Sequence, residues 1–324
     1  MLVDANSLQA LSDAGSTGVG PGSLAVSATD VYYTAVVVTV PMYSGEAVDI
    51  GPVFVMRVPL VGGASTIVAS GPFFVRPAIN SSSVVLLGQV NDSDNGILTV
   101  PLTGGSPTTV ATFSLDTTDG FVVDDRFAYF ATTEGIEAVS LDSGGGGDAG
   151  IIALTQDDPL SDPLPDGIGL FGAQLLFGLN QGGIESVPLP PQPGSKVTVL
   201  GSGPPGRLEI MPCGASSCWV GFGEYGFEEM DPMGNVLSTL SLGSFLWNNA
   251  AFDGTSFFVL GQESIDGGPQ ADVLIRVTAA DGAATTLGTM PSTADVAVDD
   301  ECVYWSNTQG VFSLSKTATG FFSQ

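Results

Sequence analysis

Three groups of residues in this chain have the types and spacings that chemistry needs. Asn91-Asp-Ser-Asp-Asn-Gly96 sets acidic side chains at alternate positions before a glycine, so that Asp92 and Asp94 can converge on calcium, the one cofactor the sequence suggests. The stretch lacks the later bidentate glutamate of an EF-hand, and as a hairpin loop rich in turn formers it also has a complete structural explanation. Cys213 and Cys218 bracket Gly-Ala-Ser-Ser, a spacing that a tight hairpin can bridge as a disulfide, with Cys302 left over. No second cysteine pair and no histidine exists to turn that spacing into a zinc site. The third group is the 34 aspartates and glutamates, since glycoside hydrolysis requires only two carboxylates at the right separation. So many acids make some close pair inevitable, and the signal has almost no specificity.

Absent residues exclude more than present ones suggest. With no histidine in 324 residues, Ser-His-Asp and Cys-His nucleophilic systems, histidine-based lyases and histidine-ligated metals are all unavailable. Seven Lys plus Arg against 34 acids give a net charge of −27, and so few cations cannot build a phosphate-neutralising surface for nucleic acid. Anionic lipid surfaces are excluded for the same reason. The longest aliphatic run, around 35–40, is far short of the roughly 20 residues a bilayer span needs, so no membrane span is expected. Met1-Leu-Val-Asp4 has neither a basic nor an apolar leader region, while the cysteine spacing favours an oxidising compartment. The expected location is therefore extracytoplasmic: secreted, periplasmic or on the cell surface.

The elements that position these residues follow from a repeat, clearest in Asp295-Val-Ala-Val-Asp-Asp-Glu-Cys-Val-Tyr-Trp-Ser-Asn-Thr-Gln-Gly-Val-Phe-Ser-Leu-Ser-Lys316. This reads as three short strands joined by two turns. Six earlier stretches repeat it with a fourth strand added. In the second strand a large residue precedes a small one at Tyr33-Thr, Leu87-Gly, Phe130-Ala, Phe177-Gly, Val220-Gly, Leu260-Gly and Trp305-Ser. A glycine precedes the third strand at Gly96, Gly135, Gly183, Gly226 and Gly310. Seven copies give a period of about 46 residues, in the range of propeller blades and too long for β-helix coils. Phe127 to Phe130 and Phe257 to Leu260 are apolar at every position, so both faces of their sheets must be covered. Sheets packed face to face around an axis satisfy that and leave only short edges.

The expected structure is all-β: a single seven-bladed β-propeller domain over residues 1–324, four antiparallel strands per blade, the ring closed by the N-terminal strand. Only three strands belong to the last copy, so another segment must cover its outer edge. Residues 7–11, pairing antiparallel with 311–315, are the favoured choice over 320–324, with Leu8 or Leu11 in the core.

Val303-Tyr-Trp-Ser-Asn followed by Gly310-Val-Phe resembles the YWTD repeat of the low-density-lipoprotein receptor class and the Val-Tyr-Trp repeats of secreted bacterial propellers related to NHL proteins. Val31-Tyr-Tyr-Thr is a fair second match, the other five copies are degenerate, and receptor YWTD propellers have six blades. The resemblance implies the fold and carries over no catalytic residue.

In propellers generally, the loops between second and third strands and those between blades share the face where ligands bind. Mapped onto this sequence, that face gathers Arg76, Asp119, Arg207, Tyr225, Trp247 and Asn248. Aromatics amid acids and amides suit a protein, peptide or carbohydrate ligand. Loop anchoring and channel plugging explain the same residues equally well. The expected function is a secreted or cell-surface binding propeller without chemistry; the alternative is a carboxylate-dependent glycosidase or lyase in the channel mouth.

Overall fold

A computed structural model describes residues 3–4, 18–39, 49–71, 73–91, 94–113, 117–132, 135–142, 151–153, 165–179, 182–190, 192, 195–203, 208–211, 214, 216–243, 245–263, 271–290, 293–307, 310–317 and 322–323. The chain is a seven-bladed β-propeller of antiparallel blades. The first strands of blades one to seven are Gly18–Val26, Phe73–Ile79, Thr117–Val123, Pro165–Phe171, Leu208–Ile210, Leu246–Phe252 and Thr293–Val298. Within each blade the following strands pair in chain order toward the outside.

The ring holds because its blade interfaces are apolar. Tyr32 and Val55 of blade one meet Val84 and Leu86 of blade two, and Tyr129 and Ile136 of blade three meet Leu175 and Phe177 of blade four. The last-to-first contact is of the same kind, with Tyr304 and Val311 packed against Leu24, Tyr33 and Met56. The seven large residues of the second strands, Tyr33, Leu87, Phe130, Phe177, Val220, Leu260 and Trp305, are 0–2% exposed, as the repeat requires.

The small residue after each anchor has a packing reason. A Cβ on Gly221 would lie 2.7 Å from the Trp247 indole of the next blade, and one on Gly178 would run into the Leu208 side chain, again of the next blade. Ser306 at the equivalent place donates its hydroxyl to the Gly22 carbonyl of blade one at 2.8 Å. In blades four, five and seven the large residue thus fills the interface with the preceding blade while the small one admits the next blade's first strand; in blades two and six the large residue, Leu87 or Leu260, packs against the following blade instead.

Ring closure differs from the sequence expectation in its register. Val3–Asp4 pairs antiparallel with the third strand of blade seven, Val3 opposite Val311 and Asp4 opposite Gly310. The N-terminal segment does cover that edge, but earlier in the chain than residues 7–11, which together with Leu8 and Leu11 lie outside the described residues. Val3 is β-branched, whereas Ser7-Leu-Gln-Ala-Leu11 holds the helix-favouring Leu, Gln and Ala, which gain less from a pleated edge. Of the competing C-terminal segment, Phe322–Ser323 instead joins the outer edge of blade six, parallel to Ala284–Met290, as a fifth strand.

Candidate functional site

The channel node is built by irregularities in three first strands. In blade six Trp247 pairs with Gly261 and Asn249 with Leu260, so Asn248 is an extra residue that bulges out. The bulge sends Trp247 and Asn249, two residues apart, to opposite faces of the blade: Trp247 is 6% exposed and stacks on Phe227 of blade five at 5.2 Å, Asn249 is buried toward Asp295 of blade seven, and Asn248 is left exposed. In blade seven the same device, at Ala294, precedes Asp295; in blade two, at Val75, it precedes Arg76.

Asp295 is the centre of the node. Its Oδ1 accepts the side-chain amide of Asn249 at 2.6 Å, the backbone amide of Val296 at 2.9 Å and the Arg76 guanidinium at 3.4 Å. Its Oδ2 accepts the backbone amide of Leu24 at 2.7 Å. One carboxylate, 2% exposed, therefore ties blade seven to blades six, one and two. Such burial of a charge is tolerable only with this many donors. The Asn249 Oδ1, by contrast, is buried without a hydrogen-bond partner.

The sequence-derived residues divide as follows. Arg76 enters the channel but is directed to Asp295, and Trp247 serves the core between blades five and six. Asn248 and Tyr225 are exposed, Tyr225 at the end of the one-turn helix Gly223–Tyr225 between second and third strands. Asp119 sits on the first strand of blade three, its side chain outside the described residues, and Arg207 lies outside them altogether. The calcium candidate divides too: Asp92 is outside the described residues. Asp94 accepts the Asn91 side-chain amide at 2.8 Å and donates its backbone amide to Asn91 at 2.9 Å, so the two residues close a turn on each other. Among the described residues no group of three or more His, Cys, Asp or Glu is placed to hold a metal ion. Of the cysteine pair, Cys218 is buried at the start of Cys218–Phe222 and Cys213 lies outside the described residues.

Sequence reasoning missed Asp295 and Asn249 as a pair. The available signal was Asn249, which stands opposite the anchor Leu260 where other blades have Leu24, Phe121, Ile168, Ile210 and Val296. What could not be read was that four blades would converge on Asp295.

No protein-family model matches this chain, and no curated protein matches it in sequence. Solved structures do resemble it in fold. The β-propeller domain of the Trilobed protease from Pyrococcus furiosus, described as having an open velcro topology, is 10% identical with a TM-score of 0.61, over 93% of this chain and 97% of that one. The computationally designed Ika8 protein is 13% identical with a TM-score of 0.59, over 93% and 97%. A Mycobacterium tuberculosis puromycin-hydrolyzing peptidase is 13% identical with a TM-score of 0.65 over 93% of this chain, which spans about half (51%) of that protein's length. At such identities the likeness establishes the propeller and nothing finer. Among the described residues no helix is long and apolar enough to cross a membrane.

Proposed function

We propose that this propeller is a non-enzymatic binding module, working outside the cytoplasm, whose loop-rich face takes a protein, peptide or carbohydrate ligand. The observation that carries this reading is the bonding of Asp295. A catalytic acid or base needs an oxygen free for substrate, yet both oxygens of this channel carboxylate are engaged by protein donors, three on one and one on the other. The group supports the ring. The chain also has no histidine to activate a serine or cysteine, so the peptidase activity named for a similar fold has no such base to draw on here. Exposed Tyr225 and Asn248 remain on the rim as an aromatic and an amide of the kind that bind without reacting.

A glycan and peptide array read at several calcium concentrations tests the reading. Saturable binding that weakens severalfold in Tyr225→Ala or Asn248→Ala, with the ligand recovered intact, is the expected result. Release of new reducing ends or cleaved peptide would overturn it in favour of carboxylate-dependent glycosidase or lyase chemistry.

A further inference from the structure

Strands within a blade alternate in direction, so turns between first and second strands gather at the end opposite the loop-rich face. There the turns of blades five, six and seven border a cleft of about 520 Å³, within the range of small-ligand sites. Trp219 and Phe252 supply an aromatic wall, ring centroids 6.3 Å apart, and Glu229, Asp253, Asp299 and Asp300 supply carboxylates.

Turn chemistry explains two of these acids. Asp253 accepts the backbone amides of Thr255 and Ser256, both at 2.9 Å, and pairs with the Lys316 ammonium at 2.9 Å. Asp299 accepts the amides of Glu301 and Cys302 and the Tyr304 hydroxyl. It does not explain the others. Asp300 is exposed, and its turn's amides go to Asp299. Glu229 comes from the third strand of blade five, opposite Trp219, and accepts the hydroxyl of Ser217 from the same blade at 2.6 Å. Trp219 is 6% exposed, an indole built into the core whose remaining surface forms part of the wall.

We infer that this cleft holds the cationic side chain of a basic peptide, a lysine or arginine, between the aromatic wall and the carboxylates of Glu229 and Asp300. An organic cation uses both parts of the lining, because its charge meets the acids while its methylenes or guanidinium plane lie on the rings. A metal ion would use only the acids, and among the described residues they are not grouped to ligate one. A net charge of −27 adds long-range attraction for a basic partner. This site is at the opposite end from the loop-rich face and stands whatever that face binds.

The test is calorimetry at an ionic strength of about 0.15 M, where contacts beyond roughly 8 Å are screened. The probes are the blocked peptide Gly-Arg-Gly-Lys-Gly, its Gln-substituted counterpart and spermidine. The basic peptide should bind, and the Glu229→Gln/Asp300→Asn protein should bind it at least tenfold more weakly. Asp142→Asn/Asp281→Asn, which removes the same charge from exposed turns elsewhere, should weaken it less than twofold. Exposed Asp300→Asn alone, which leaves every turn bond in place, should weaken it about threefold and serves if the double variant misfolds. Equal loss in both double variants would reduce the effect to net charge and overturn the site. Comparable binding of the Gln peptide would overturn the cationic class, and tighter binding of spermidine would overturn the peptide assignment.

Discussion

Asn249 of blade six donates its side-chain amide to Asp295 of blade seven at 2.6 Å, across the channel end of the interface between them. The carboxylate that receives it also takes the Leu24 backbone amide of blade one. The last blade is thus joined at its inner strand to both neighbours, so ring closure is a property of the channel as well as of the outer edge.

Removing that carboxylate leaves the Leu24 amide and the Asn249 amide without acceptors in a place water does not reach. Asp295→Ala should therefore cost about 3–5 kcal/mol in denaturant unfolding, as loss of one member of a buried charged network does. Arg76→Ala should cost under about 1 kcal/mol, because Arg76 is one-third exposed and its contact is long, 3.4 Å. Equal losses in the two variants would show that the ion pair, rather than the amide donors, carries the node.

The pairing of Lys316 with Asp253 should be visible as a pH dependence of stability. Burial acts to raise the Asp253 carboxyl, but the Lys316 ammonium, the Ser256 and Thr255 amides and the Thr255 hydroxyl outweigh it and take the pKa from 3.8 down to about 2. The unfolded chain therefore binds this proton more readily than the folded one. The group's stabilisation is complete above about pH 4 and is lost as the pH falls from there to about 2. Lys316→Met should lower stability at neutral pH, with the difference from the parent shrinking through that window. A difference that stays constant down to pH 2 would separate Asp253 from Lys316.

The blade count and the buried anchors were legible because the large-small pair recurs in every copy, and each copy meets the same two interfaces. The degenerate copies were readable for the same reason: Val220-Gly221 keeps the size relation that admits Trp247 although it keeps none of the Tyr-Trp chemistry. The site was less legible. Trp247 and Asn249 are two residues apart and would share a face in a regular strand, and only the bulge at Asn248 decides that one enters the core with blade five and the other turns to blade seven. Asp295 acquires its role from Leu24, Arg76 and Asn249, which are 271, 219 and 46 residues away, and no local pattern encodes those distances.

The Cys213–Cys218 disulfide remains a proposal that the hairpin geometry favours. The Gly214 amide donates to the Ser217 carbonyl at 3.0 Å, which closes a tight turn between the two positions. Protein from an oxidising compartment, alkylated under denaturing conditions without reductant, should take one label, on Cys302, and three after reduction. Labelling of native Cys302 at neutral pH should be slow, because burial and the nearby Asp299 push its thiol pKa up. So short a loop should contribute about 2 kcal/mol. Three labels before reduction would remove the bridge and its stabilisation together.

Closure at the outer edge is slight by comparison. Val3–Asp4 spans two register positions of the third strand of blade seven, and each ladder bond contributes about 1 kcal/mol net. A chain lacking residues 1–4 should therefore still fold as a closed ring and lose about 1–2 kcal/mol, less than Asp295→Ala. The two changes act on different strands of blade seven, one at its outer edge and one at the channel, so their costs should add unless the blade leaves the ring as a unit. Hydrogen exchange separates these cases. With the channel node intact, truncation should raise exchange only at the outer strand, Gly310–Ser315, while the amides of Cys302–Asn307 stay protected. With Asp295→Ala as well, protection should fall across both strands together, and the combined loss should exceed the sum. If truncation alone exposes Cys302–Asn307, the edge strand is the principal lock and the channel node only follows it.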